Sequence, residues 1–105
     1  MLKRIYRLKK KKEFSYVYRK GKKYVGKYVS IYRTPSPKLS VGFSVSKKIG
    51  NAVTRNLYKR RLQHITRKYL PLLGKGNYII VANAGIKKAS FQQLDVDILF
   101  LICKF

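Results

Sequence analysis

The stretch between residues 39 and 84 constrains the fold most, because two strand patterns flank one long helix pattern. In "LSVGFSVS", residues 39–46, apolar side chains alternate with small ones, which predicts a half-buried strand. Asn51 can cap a helix over residues 52–70, which ends before a proline. The β-branched "YIIVANA", residues 78–84, predicts a buried strand. If the two strands are parallel neighbours, the connection through the helix is expected to be right-handed.

The flanking segments add further elements. "KKKKEFSYVYRKG", residues 9–21, predicts a helix that Gly21 closes. Residues 22–34 are rich in β-formers and predict either one strand with a bend at Gly26 or two strands.

The last segment, residues 90–103, begins with Ser90 and Gln93 at the spacing of a capping box and therefore predicts a helix. Its apolar end, residues 98–103, is also compatible with a strand. The elements follow the order α-β-β-(β)-α-β-α. This order predicts a single α+β domain over residues 1–105, with a small mixed sheet and helices packed on one face.

The charge of the chain points to a polyanionic partner. There are 26 Lys and Arg residues against 3 acids, Glu13, Asp95 and Asp97, for a formal net charge of +23. Such a chain repels itself unless a polyanion is present, which favours nucleic acid over the alternative of an acidic membrane surface. Cys103 is the only cysteine, so neither a disulfide framework nor a CxxC zinc site is expected.

Targeting and membrane signals are weak. The start "MLKRIYRLKKKKEF" lacks the apolar core of a signal peptide. The longest apolar run, residues 98–103, is too short to span a bilayer. We therefore expect a cytoplasmic protein with no membrane partner.

The central helix sorts its side chains onto two sides. Tyr58, Leu62, Ile65 and Tyr69 share one side and are predicted to meet the sheet. A polar stripe with Arg55 at its border occupies another side, and consists of Asn56, Lys59, Arg60, Gln63 and Arg67. Guanidinium forks suit phosphate oxygens, and amides can contact sugar or base edges. A solvated helix face is the alternative, but such faces usually mix charges of both signs, and this one has no acid.

Three aromatic side chains form a second candidate site. Phe14 and Tyr18 share a face of the first helix, and Tyr32 lies on the strand that could pack beneath them. Single-stranded nucleic acid binds on aromatic rings flanked by cations. Aromatic residues at helical spacing are also common in cores, and the residues alone leave both interpretations open.

"VGFSVSKKIGNAVTRNLYKRRLQ", residues 41–63, resembles the signature of the bacterial ribonuclease P protein subunit: a strand ending in "VSKK", a glycine turn, then an "RN..KR" helix. "LKKKKEFSYVYRKG" and "YIIVANA" are similar to the family's first helix and later strand, so the resemblance covers essentially the whole chain. It implies a ribosomal-protein-like two-layer fold with a left-handed strand-helix-strand crossover, opposite to the general handedness rule.

The resemblance also implies two binding surfaces. The catalytic RNA is expected to contact the central helix, with Arg61 and Arg67 compensating for Leu57 and Gln63 at positions that are often basic in the family. The expected catalytic-RNA residues are Arg55, Asn56, Lys59, Arg60, Arg61, Gln63 and Arg67. The single-stranded 5′ leader of precursor tRNA is expected in a cleft between the sheet and the first helix. The expected leader residues are Phe14, Tyr18, Tyr32, Lys47 and Lys48.

The resemblance predicts a protein subunit of a ribozyme, with no catalytic residue and no metal ligand in this chain and no obligate protein partner. Ribonuclease P RNA and precursor tRNA are the implied partners, and Mg²⁺ is the implied cofactor, held mainly by the RNA. His64 lies among arginines with no acid nearby and is not expected to act as a base. A structural ribosomal protein is the main alternative. A self-sufficient nuclease would need more carboxylates or histidines than the chain has.

Overall fold

The computed structural model describes residues 11–104, which form three helices and four strands. The elements are α1 (Lys11–Lys20), β1 (Lys22–Val25), β2 (Val29–Thr34), β3 (Leu39–Ser44), α2 (Ala52–Tyr69), β4 (Gly76–Ala82) and α3 (Phe91–Ile102). Short 3-10 helices occur at Lys47–Ile49, Leu70–Leu72 and Ala84–Lys88. The α+β class and the order of elements are confirmed.

The four strands form one mixed sheet in the order β1-β2-β4-β3. β2 pairs antiparallel with both β1 and β4, and β3 pairs parallel with β4. Residues 22–34 thus form two strands rather than one bent strand, because the chain reverses at Gly26 and returns along itself. β3 and β4 are parallel neighbours joined through α2, and the hand of this crossover stays a prediction of the family resemblance.

The sheet has apolar side chains on both faces. On one face, α2 and α3 cover the main core, in which Ile31, Tyr78 and Ile80 are almost fully buried. On the other face, Val17 of α1 packs against Ile79 of β4, and both are fully buried. The predicted one-face arrangement therefore describes α2 and α3, whereas α1 lies on the opposite face. The reason is that β4 is apolar at successive positions, so both of its sides need a cover.

The predicted helix caps are present. Oδ1 of Asn51 accepts a hydrogen bond from the Thr54 amide at 2.9 Å, and α2 begins at Ala52, directly after Asn51. Ser90 and Gln93 bond reciprocally, each side chain accepting from the other's backbone amide at 3.2 and 2.8 Å. α3 then continues through most of residues 98–103, so the strand alternative for that run is wrong.

The first helix closes where the sequence predicts. The Gly21 amide donates to the Val17 carbonyl at 2.7 Å, and a Cβ at Gly21 would lie only 2.2 Å from that oxygen. Glycine is therefore required by the close approach of the backbone. Residues 9 and 10 of the predicted helix lie outside the described residues. Within residues 11–104, none of the helices has the length and apolar character needed to cross a membrane.

Candidate nucleic-acid interface

The first candidate surface is the solvent side of α2, which we call the α2 stripe. It comprises Arg55, Asn56, Lys59, Arg60, Arg61, Gln63 and Arg67. The opposite side of the helix buries Tyr58, Leu62 and Ile65 against the sheet, as predicted. Within residues 11–104 the one ion pair joins Lys68 to Asp95, so the cations of the α2 stripe have no acidic partner there. The stripe thus presents unneutralised positive charge along the helix.

Two groups of the α2 stripe also have unused hydrogen-bonding capacity. Nε of Arg55 and Oε1 of Gln63 are buried, and neither has a hydrogen-bond partner among residues 11–104. A buried polar atom without a partner costs about 1–3 kcal/mol, so a ligand that supplies the bond would gain affinity. Arg61 differs from these two residues, because its guanidinium lies 5.4 Å from the centre of the Tyr58 ring on the same helix. This cation–aromatic contact holds the Arg61 side chain against the helix.

The second candidate surface lies where α1 packs on the sheet, at the position of the expected cleft, and we call it the α1 cleft. It brings together the three predicted aromatic side chains. The rings of Tyr18 and Tyr32 lie 4.9 Å apart at 77°, and Phe14 and Tyr32 pack against the buried pair of Val17 and Ile79. Tyr18 remains 39% exposed, so the aromatic cluster is partly core and partly accessible surface.

Lys23 is a further member of the α1 cleft, and no sequence pattern indicates it. It pairs with Tyr32 across the β1–β2 hairpin, and its Nζ lies 5.3 Å from the centre of the Tyr32 ring. This cation–aromatic contact depends on the hairpin register. The sequence contained the hairpin signal at Gly26, but not the register that sets Lys23 beside Tyr32.

The predicted lysine pair stands apart from the aromatic rings. Lys47 and Lys48 are exposed and follow the carboxyl end of β3. Tyr32 of β2 lies beside Ile79 of β4, which in turn lies beside Gly42 of β3. β3 is therefore two strands away from Tyr32, a distance of about 10 Å at ordinary strand spacing. The side chains of β3 on this face are small, Ser40 and Ser44 flanking Gly42. An extended ligand, rather than a compact one, could contact both the rings and the lysines.

Two of the three acids have structural roles. Asp95 accepts hydrogen bonds from Lys68 and from the Tyr69 hydroxyl. Asp97 accepts from the backbone amides of Lys27, Tyr28 and Val29 at 2.9–3.1 Å and so holds the β1–β2 turn.

The contacts of Asp95 also set its pKa. Burial acts to raise the pKa of the Asp95 carboxyl, but the hydrogen bonds from Lys68 and Tyr69 and the Lys68 charge outweigh it and lower that pKa.

The acids that the chain does have do not form a metal site. In the described part of the chain, no three His, Cys, Asp or Glu residues are grouped closely enough to hold a metal ion. These residues do not fit a magnesium site.

The fold and the two surfaces define a small, strongly basic α+β protein with a cationic surface and an aromatic surface on opposite faces of one sheet. The ribonuclease P family model matches residues 2–104. The chain belongs to the family of bacterial ribonuclease P protein components, the protein part of a ribonucleoprotein endonuclease. This membership decides against the ribosomal-protein alternative.

Individual relatives support the assignment. The chain is 35% identical over 95 residues to the ribonuclease P protein component of Lactococcus lactis subsp. cremoris, covering 89% of this chain and 81% of the relative. It is 32% identical over 103 residues to that of Streptococcus agalactiae, covering 96% and 94%. The solved RNase P protein of Staphylococcus aureus superposes with a TM-score of 0.87 at 26% identity, covering 94% of each chain.

Proposed function

We propose that the chain binds the catalytic RNA of ribonuclease P through the α2 stripe and the 5′ leader of precursor tRNA through the α1 cleft. In this way it assists the RNA-catalysed removal of the leader in the cytoplasm. The observation that carries the proposal is the separation of the two surfaces. α2 packs on one face of the sheet and α1 on the other, so two RNA segments can bind at once.

The α2 stripe suits a structured RNA. Arg60 and Arg67 are exposed on it, and their guanidinium groups can form paired hydrogen bonds with phosphate oxygens. The Gln63 amide, whose oxygen has no partner in the described residues, can accept from a ribose hydroxyl or a base. A rigid helix presents these groups at fixed spacing, which favours a folded RNA over a flexible strand.

The α1 cleft suits a single strand. An unpaired base can stack on an exposed aromatic ring, and Tyr18 offers one beside Tyr32. Lys23 at one side and Lys47 and Lys48 beyond the end of β3 provide cations for successive phosphates. An extended leader lying across the sheet would contact both groups.

The chemistry of cleavage is assigned to the RNA. Asp95 and Asp97 are engaged in structural hydrogen bonds, and the residues described do not fit a magnesium site. On this proposal the magnesium ions belong to the RNA subunit. The protein neutralises phosphate charge and positions the leader, and it moves no proton.

Reconstitution tests the proposal. Precursor tRNA is incubated in magnesium buffer with the protein alone, with a bacterial ribonuclease P RNA alone, and with both together. We expect cleavage at the mature 5′ end by the RNA, stimulation when the protein is added, and none by the protein alone. Site-specific cleavage by the protein alone, or no stimulation of the RNA, would contradict the proposal.

A further inference from the structure

A groove of about 650 Å³ lies on the α3 side of the molecule, away from the α1 cleft. It runs between the β1–β2 turn and the exposed side of α3, and its apolar walls are Tyr28, Val96 and Phe100. Val96 and Phe100 are 69% and 57% exposed, which is high for apolar side chains. The volume lies within the range of about 300–1,000 Å³ typical of ligand sites.

Ammonium groups stand over the aromatic rings of this groove. Nζ of Lys27 lies 5.3 Å from the centre of the Tyr28 ring, and Nζ of Lys104 lies 4.6 Å from that of Phe100. The arrangement repeats the combination of Tyr32 and Lys23 in the α1 cleft. Aromatic rings flanked by cations are the feature that binds single-stranded nucleic acid.

The polar lining of the groove has groups left for a ligand. Ser90 Oγ and Gln93 Oε1 accept the bonds of the helix cap, and Asp97 accepts from three backbone amides. By contrast, Gln92 and Gln93 are exposed residues of the groove lining, and the helix cap uses the side-chain oxygen of Gln93 but not its Nε2. Amide side chains can donate to and accept from base edges.

We propose that this groove binds an unpaired nucleotide of an RNA strand. The base lies against the exposed ring of Phe100, and the adjoining phosphates lie near Lys27 and Lys104. Charge decides the occupant, because a second copy of this chain would also carry +23 and be repelled, whereas RNA is attracted. The inference rests on the proposed function only in taking RNA as the partner, and it adds a single-strand site on the α3 side.

Photo-crosslinking resolves the two single-strand sites in one experiment. The full chain is irradiated with a short single-stranded RNA containing photoreactive thio-substituted uridines, and crosslinked tryptic peptides are quantified by mass spectrometry. Cleavage after Lys and Arg releases residues 13–19 from the α1 cleft and residues 89–104 from the groove as separate peptides. We expect crosslinks on both peptides.

Two matched pairs of variants identify the side chains responsible. Phe100→Ala should lower the crosslink yield of peptide 89–104 by about fivefold or more, the loss of one stacked base. Phe91→Ala, on the same helix but outside the groove lining, should not. Val96→Glu places a negative charge in the groove and should also lower the yield. Leu72→Glu is its control and should not lower the yield, because it changes the net charge equally at a residue that is 61% exposed but lies outside the groove lining.

The outcomes separate the two proposals. Crosslinks confined to peptide 13–19 would overturn the groove site and leave the leader cleft standing. Equal yields for Val96→Glu and Leu72→Glu, with both proteins folded by thermal unfolding, would show a non-specific charge effect and also overturn it. No crosslink on any peptide would overturn both proposals. Val96→Glu could instead weaken binding of the protein to phosphatidylglycerol vesicles and leave the RNA crosslink yield unchanged. That result would assign the groove to a membrane surface and overturn the RNA site.

Discussion

The rings of Tyr18 and Tyr32 meet edge to face, with 4.9 Å between their centroids, although one belongs to α1 and the other to β2. Tyr18 is 39% exposed and therefore available to a ligand while it packs against its neighbour. Such a ring pair contributes about 0.5–1.5 kcal/mol beyond area burial. This is less than the cost of about 3–5 kcal/mol for truncating a fully buried aromatic residue. Truncation of Tyr18 should therefore leave a folded protein in which binding can be measured.

Tyr18→Ala should weaken binding of leader-bearing precursor tRNA to the assembled ribonucleoprotein. The loss of one stacked base costs about 1–3 kcal/mol, or roughly fivefold to a hundredfold in affinity. Binding of mature tRNA should not change. Tyr16→Ala is the control, because Tyr16 is on the same helix and is 50% exposed but takes no part in the aromatic cluster. A folded Tyr18→Ala protein that still distinguishes precursor from mature tRNA fully would remove Tyr18 from the leader site.

Replacing Lys59 and Arg60 together by alanine should reduce the salt dependence of binding to ribonuclease P RNA. Each phosphate contact contributes about 0.7–0.9 to the slope of log K against log salt, so the slope should become shallower by about 1.5. The control replaces Lys38 and Lys75, two exposed loop lysines, by alanine and removes the same charge. If both double variants change the slope equally, the α2 stripe has no special role.

The Lys68–Asp95–Tyr69 cluster should make stability depend on pH at the acid end. Because the pKa of Asp95 is lowered in the folded state, its contribution is present above the ordinary value of 3.8 and is lost as pH falls through the lower folded value. Urea unfolding should show Asp95→Asn to be less stable than the unsubstituted protein at neutral pH, with the difference shrinking in acid. In a protein that also carries Lys68→Met, Asp95→Asn should lower the free energy of unfolding by less, because the charge that Asp95 pairs with is already gone. A difference that persists unchanged below the folded pKa would contradict this account.

Gly26→Ala should destabilise the fold because the turn leaves no room for a side chain. A Cβ there would lie 2.7 Å from both carboxylate oxygens of Asp97 and 2.8 Å from the Val29 carbonyl oxygen. Overpacking of this kind costs about 1–3 kcal/mol, measurable as a lower free energy of unfolding. Gly74→Ala is the matched control, since no atom lies within 4 Å of the added Cβ. Equal stability of the two variants would show that the turn can move away from Asp97.

Much of the local structure followed from the sequence alone. The cap at Asn51, the capping box at Ser90 and the buried side of α2 depend on residues within a few positions of one another, and local spacing determines them. The charge also needed no structure, because the shortage of acids is a property of composition. The order of strand and helix patterns predicted the class of fold. Helical spacing predicted the α2 stripe except for Arg61, which came from the family resemblance.

The tertiary structure decided which distant residues meet. The pairing of β2 with both β1 and β4 sets Lys23 beside Tyr32 and separates Lys47 from the aromatic rings by the width of β4. α1 lies on the face opposite α2 because β4 has apolar side chains on both of its sides. The pattern of apolar residues along β4 does not specify which helix covers which side. The groove on the α3 side arises in the same way, because Asp97 brings α3 to the β1–β2 turn across about seventy residues. Long-range contacts of this kind depend on register and packing, which no local pattern specifies.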